Sequence, residues 1–281
     1  MKNNNIIVSL TTWHKRIYNV PIVIDSILSQ TIRPDKIVIN LAYDEVIPAD
    51  LNNYLVKHRI EINRVEDTKV YKKFLPTLLR YPNACVINID DDFIYPPTMI
   101  EEFVELHNKY PNNPISGNRH VLYGMQCHCG CASLVKKEYF GDYLIEVDKD
   151  LMSSCLSSDL VFTYIATITG HPYIRTKSMY YVNLPSIESN VAYSSFDFKQ
   201  VLNDTYNYLR GRFEVVPDAL SALKKNRTIM HDWNQMPILY GIEEHYKGLG
   251  VKHVVIKSST YYIWKFAFRV WCLIKPLAKR K

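Results

Sequence analysis

No stretch of this sequence is apolar for long enough to cross a bilayer. The most apolar segment, Tyr261 to Ile274, contains Lys265 and Arg269 and falls short of the ~20 apolar residues a spanning helix needs. A secretory signal is not expected, because Ile6 to Leu10 is too short an apolar run and charge soon follows it. There is no internal repeat, no low-complexity tract and no linker, which argues against solenoids and strings of small domains. The six cysteines, Cys85, Cys127, Cys129, Cys131, Cys155 and Cys272, are dispersed over 281 residues. Without an export signal, that dispersal points to reduced thiols in the cytoplasm rather than a disulfide framework. Charge of one sign is scarce as well. The formal excess of +6 is too modest to indicate nucleic acid, though it favours phosphate groups or an acidic membrane surface.

What is present reads as a soluble globular chain with 47% hydrophobic and 22% charged residues, long enough to bury a substantial core. The 21 tyrosines combine a flat apolar face with a hydroxyl, which suits sugar binding as well as half-buried positions. Up to about residue 95, β-like and helix-like segments alternate. Strands are expected at Ile6–Leu10, Lys36–Leu41, Ile60–Val65 and Cys85–Ile89. Helices are expected at Pro21–Ser29, from Pro48 through Leu55, and over Tyr71–Arg80, where Pro76 is a weak point. Further helices are expected at Thr98–Tyr110 and Ser157–Thr169. Alternation of this kind predicts an α/β fold, a mostly parallel sheet covered by helices on both faces.

Ligands of such sheets bind beyond the carboxyl ends of the strands, and there the fourth strand runs into Asp90, Asp91 and Asp92. Two carboxylates one residue apart can share a hard divalent cation with diphosphate oxygens, and Mg²⁺ or Mn²⁺ suits such ligands. A solvated acidic turn is the bland alternative, but like charges repel and a strand end gives no structural reason to cluster them.

Four ordered blocks carry a resemblance. They are Ser9-Leu10-Thr11-Thr12, then Gln30 to Ile37, then Tyr71-Lys72-Lys73-Phe74-Leu75-Pro76, and finally Asp90-Asp91-Asp92-Phe93-Ile94-Tyr95-Pro96. The chain resembles the bacterial, family-two-like glycosyltransferases of the GT-A (Rossmann-like) fold, closely over residues 6 to 97 and more thinly to about 175. The resemblance implies that Thr11, Thr12 and Asp67 grip the nucleotide base, with Lys72 and Arg16 near the nucleotide. It makes Asp90 and Asp92 the metal-binding D-x-D pair, with Asp91 beside the donor. It also implies a general base at the start of a later helix, where Asp159 follows Cys155-Leu156-Ser157-Ser158, although the same residues would cap that helix. His231 stands where some enzymes of this fold complete the metal site. Cys127-His128-Cys129-Gly130-Cys131 has single-residue spacing unlike the C-x₂₋₄-C of structural zinc sites, and is expected to replace an acceptor-side glycine-rich loop.

The expected organisation is a glycosyltransferase domain over 1–255, with a nucleotide-sugar half at 1–97 and an acceptor half at 98–255. A basic, aromatic, amphipathic tail then covers 256–281. Its Trp264, Phe266, Phe268 and Trp271 beside Lys265 and Arg269 suggest a helix lying in the membrane interface, with a core helix as the alternative. The expected activity is metal-dependent, inverting transfer from a nucleotide-sugar, a UDP-sugar favoured, to a glycan or lipid-linked acceptor. Surface polysaccharide or lipooligosaccharide assembly at the inner face of the cell membrane fits that activity. Two rivals are a non-catalytic glycan-binding protein and a nucleotidyltransferase. The second normally has a glycine-rich loop after the first strand, and Thr11-Thr12-Trp13-His14-Lys15 has no glycine.

Overall fold

The structure is a computed structural model that describes residues 5–117, 121–122, 125–126, 128, 131–176, 182–184, 198–213, 255–256 and 265–266. The first half alternates as the sequence predicts, through β1 (Ile6–Thr11), α1 (Val20–Leu28), β2 (Lys36–Ala42), α2 (Ala49–Lys57) and β3 (Glu61–Val65). It continues through α3 (Leu75–Arg80), β4 (Cys85–Ile89), β5 (Phe93–Ile94) and α4 (Met99–Lys109). The second half holds the short strands β6 (Ile115–Ser116), β7 (Val121–Leu122), β8 (Met125–Gln126) and β9 (Ala132–Val135). Then follow α5 (Lys149–Ser154), α6 (Ser158–Ile168), β10 (Ile174–Arg175), β11 (Val182–Asn183), α7 (Phe198–Arg212) and β12 (Val255–Ile256).

Seven strands form one sheet in the order β10-β6-β9-β4-β1-β2-β3. The pairs among β4, β1, β2 and β3 are parallel, and β9 enters antiparallel between β4 and β6. The runs are apolar on both faces, with few polar breaks, because both faces are covered. Val8, Leu10, Ile37, Ile39, Ile87 and Ile89 pack into one core cluster, shared with α1 and α4. Ile7, Val38, Val86 and Val135 pack into the other, shared with α3 and α6. The two-residue side-chain period places Ser9, Asn40, Asn88 and Ser133 on that second face, all fully buried. A row of polar side chains therefore crosses the sheet next to its apolar half.

One expected element is corrected. Tyr71–Arg80 is not a single helix but a 3₁₀ segment, Lys69–Lys73, followed by α3, with Phe74 between them at φ −145° and ψ −20°. Pro76 explains the break: it has no N–H to return to Lys72, and its ring suits only a first turn. The 3₁₀ segment is anchored nonetheless. Phe74 meets Phe162 of α6 at 4.5 Å between ring centroids, Phe140 meets Phe162 at 5.4 Å, and the Tyr71 hydroxyl donates to the Cys155 carbonyl at 2.6 Å. Truncating a buried ring of this kind costs about 3–5 kcal/mol, so α6 and the 3₁₀ segment are fixed to one another.

Most of residues 256–281 lie outside the described residues. Of the three that do not, Ile256 ends β12, and the other two are helical, with Lys265 buried and Phe266 72% exposed. No helix among the described residues is long and apolar enough to cross a membrane.

Candidate active site

The loop after β1, the segment after β3 and the turn after β4 all leave the carboxyl edge of the parallel strands, and their side chains meet there. Thr11 closes β1 by donating to the Asn40 carbonyl at 2.7 Å. The next residue, Thr12, is buried and donates to Asp91 Oδ2 at 2.7 Å. Arg16 lies 3.2 Å from Asp91 Oδ1 and donates to Asp92 Oδ2 at 2.7 Å. Its Nε–H is buried and finds no acceptor among the described residues. Lys73 pairs with Asp90 Oδ1. The three aspartates thus differ in environment. Asp91 is 3% exposed and acts as a buttress of the Thr12 turn, whereas the side chains of Asp90 and Asp92 are 22% and 34% exposed.

Crowding these carboxylates disfavours their charge. Burial pushes Asp91 up, opposed by Arg16 and by the Thr12 hydrogen bond. Burial and the neighbouring Asp90 raise Asp92 to about 6, against the pull of Arg16. An aspartate turn that keeps two fixed cations on it and still has a raised carboxyl is short of positive charge. Hard oxygen donors, partial exposure and that deficit fit a divalent cation on Asp90 and Asp92. Each is engaged by its basic neighbour through a single oxygen, so Asp90 Oδ2 and Asp92 Oδ1 take no part in those ion pairs. No group of three or more histidine, cysteine, aspartate or glutamate side chains among the described residues could hold a metal. A cation on two aspartates would complete its shell from ligand and water oxygens.

Asp67 and Lys72 form a separate pair beyond the carboxyl end of β3, at the edge of the sheet. Burial works against the Asp67 charge, but hydrogen bonds from Lys69 and Lys72 hold its carboxyl down at about 2. Lys72 is almost wholly buried and turned toward Asp67, away from the three aspartates. The lysine that reaches the aspartates is its neighbour, which sequence reasoning missed. A 3₁₀ segment turns about 120° per residue, so consecutive lysines face different partners. Burial works against the Lys73 charge, and the carboxylates of Asp90 and Asp159 outweigh it, leaving the ammonium firmly protonated.

Asp159 is thereby brought to the same side of the site. It sits in the first turn of α6, and the capping question is settled by Ser157, whose hydroxyl accepts from the Leu160 N–H at 3.4 Å. The Thr163 hydroxyl donates to the Asp159 carbonyl at 2.6 Å and accepts from the His128 N–H at 2.6 Å, tying this turn to His128. His128, buried against Phe74 and bonded through Nδ1 to the Tyr173 hydroxyl at 2.7 Å, is kept neutral by burial and by Lys73. Tyr95, also missed, accepts from the Asp90 N–H at 2.8 Å and donates to the Cys131 carbonyl, which fixes the aspartate turn against β9. Cys127, Cys129 and His231 lie outside the described residues.

No family model matches the chain, and no curated protein sequence does either. Similar folds occur among solved structures. Staphylococcus aureus TarS matches at a TM-score of 0.50 and 12% identity, over 78% of this chain and 42% of that one. TarS 1–349 in complex with UDP matches at 0.49 and 8% identity, over 78% and 69%. Glucosyl-3-phosphoglycerate synthase from Mycobacterium tuberculosis, in complex with Mn²⁺, UDP-glucose and phosphoglyceric acid, matches at 0.37 and 15%, over 49% and 58%. This chain thus spans less than two thirds of the length of two of these three chains, 58% of the synthase and 42% of the longer TarS chain. The architecture is the GT-A fold, a mostly parallel sheet flanked by helices.

Proposed function

We propose that the chain is a glycosyltransferase that moves a sugar from a nucleotide-sugar, a UDP-sugar by preference, to a hydroxyl of a glycan or lipid-linked acceptor. One observation carries this reading: Asp90 and Asp92, each paired through one oxygen with a basic side chain, share the strand-end edge with Arg16, Lys73 and Asp159. Mn²⁺ or Mg²⁺ held by Asp90 and Asp92 would supply Lewis-acid stabilisation of the departing diphosphate. Arg16, with its unsatisfied Nε–H, lies where phosphate oxygens would need donors. Thr11, Thr12, Asp67 and Lys72 line the nucleotide side. Asp159 accepts the proton of the acceptor hydroxyl as that oxygen bonds to the anomeric carbon and the bond to the diphosphate breaks, with inversion.

Turnover of donor in the absence of acceptor tests this directly. Slow, Mn²⁺-dependent release of nucleoside diphosphate from one nucleotide-sugar of a panel is the expected result. No release from any of them would favour a glycan-binding scaffold.

Residues 256–281 are assigned by the same reading to the inner membrane face, where lipid-linked glycans are assembled. The aromatic and basic residues occurring together support it. The full chain should sediment with phosphatidylglycerol vesicles and not with neutral ones; a chain that stays in the supernatant with both contradicts the assignment.

A further inference from the structure

The break before α3 leaves a backbone group to be satisfied. The first turn of α3 closes from the Leu78 N–H onto the Phe74 carbonyl, one residue too late to use the carbonyl of Lys73. The buried polar row takes it instead. Ser9 Oγ donates to the Lys73 carbonyl at 2.7 Å, and Asn40 Nδ2 reaches it at 3.4 Å. The Thr77 hydroxyl completes the cluster, 2.7 Å from Ser9 Oγ and accepting from Asn40 at 2.9 Å, while Asn63 donates to Asn40 Oδ1 at 2.8 Å. Four side chains from three strands and α3 thus hold one backbone position. The Lys73 side chain leaves that point only 14% exposed, with its ammonium on Asp90.

An ammonium held this way is a poor swap for a bare metal ion. A divalent cation arriving alone at Asp90 Oδ1 must take that carboxylate from the ammonium and then lies a few ångströms from a buried like charge that keeps Asp159 beside it, so repulsion offsets much of the new contact. A cation arriving with a diphosphate brings anionic oxygens that the displaced ammonium can pair with. We propose that Lys73 is a tethered counter-ion that holds Asp90 until metal and diphosphate arrive together, so that the site selects the metal–nucleotide complex over the free ion. The proposal rests on the donor-site reading above and makes Lys73 its specificity-determining residue.

Two titrations on the full chain test it. The first follows uptake of Mn²⁺ alone by the loss of its free paramagnetic signal, and the second follows UDP binding by calorimetry at saturating Mn²⁺. Lys73→Met should bind bare Mn²⁺ about tenfold more tightly and UDP about tenfold more weakly, since one unit charge is removed within a few ångströms of both. Lys73→Gln, which keeps a hydrogen bond to Asp90, should shift both in the same directions and serves if the methionine variant does not fold. Lys73→Arg should stay near wild type, and Lys57→Met, which removes the same charge from exposed α2, should change neither. A lysine with a merely structural role would weaken both bindings together, and that result overturns the proposal. Should no variant bind UDP while Lys73→Met and Lys73→Gln still gain Mn²⁺ affinity, the counter-ion stands and the donor-site reading falls. Unchanged Mn²⁺ affinity in both variants overturns the counter-ion.

Discussion

Asp159→Asn is expected to lower sugar transfer about 10²- to 10⁴-fold, the usual contribution of a general base, while metal-dependent donor binding stays within about threefold. The substitution is nearly isosteric and leaves the helix start intact, because Ser157 and not Asp159 is the capping side chain. The Asp159 carbonyl keeps its bond from Thr163. What the variant loses is one negative charge in the first turn of α6, worth about 0.3–1 kcal/mol of helix stability, and its attraction for the Lys73 ammonium, which keeps Asp90. A fall in kcat of three orders with an unchanged melting temperature therefore assigns chemistry to this carboxylate. A fall in melting temperature together with donor binding would assign it to structure instead. The kinetic comparison needs an acceptor, and the donor turnover assay provides the starting point for finding one.

Asp92→Ala is expected to reduce Mn²⁺-dependent donor binding by at least about 100-fold, since it removes one of the two partly exposed carboxylates and frees Arg16 from its 2.7 Å bond. Asp91→Ala should behave differently although it is adjacent. Asp91 is buried and accepts from Thr12 while pairing with Arg16, so its loss leaves a buried hydroxyl without its acceptor and loosens the turn after β1. The three aspartates look alike in sequence, and their environments separate them into one buttress and two candidate ligands.

How much could be read beforehand depended on the length of the elements. β1, β2 and β4 are predominantly apolar runs because helices cover both faces, and the alternation with α1 and α2 places their carboxyl ends on one edge. The position of Asp90–Asp92 followed from that alone. Asp159 was reached only through resemblance, and its proximity to Lys73 had no signal in sequence. Lys72 was singled out over Lys73 through resemblance alone, and nothing in the sequence shows which of two adjacent lysines in the 3₁₀ segment faces the aspartates. The two-residue strands β5, β6 and β10 are too short to show any period, and the antiparallel entry of β9 is a matter of tertiary pairing. Ser9, Asn40 and Asn88 read as stray polar residues inside apolar runs. Only the register of β1, β2 and β4 aligns them into a row.

Calorimetric titration of the wild-type chain with a panel of nucleotide-sugars, each with and without Mn²⁺, tests the central claim most directly. The account predicts that one donor class binds, that binding requires the metal, and that Asp92→Ala abolishes it. Binding by no donor, or binding indifferent to both the metal and Asp92, would contradict the claim that this strand-end aspartate turn is a nucleotide-sugar site.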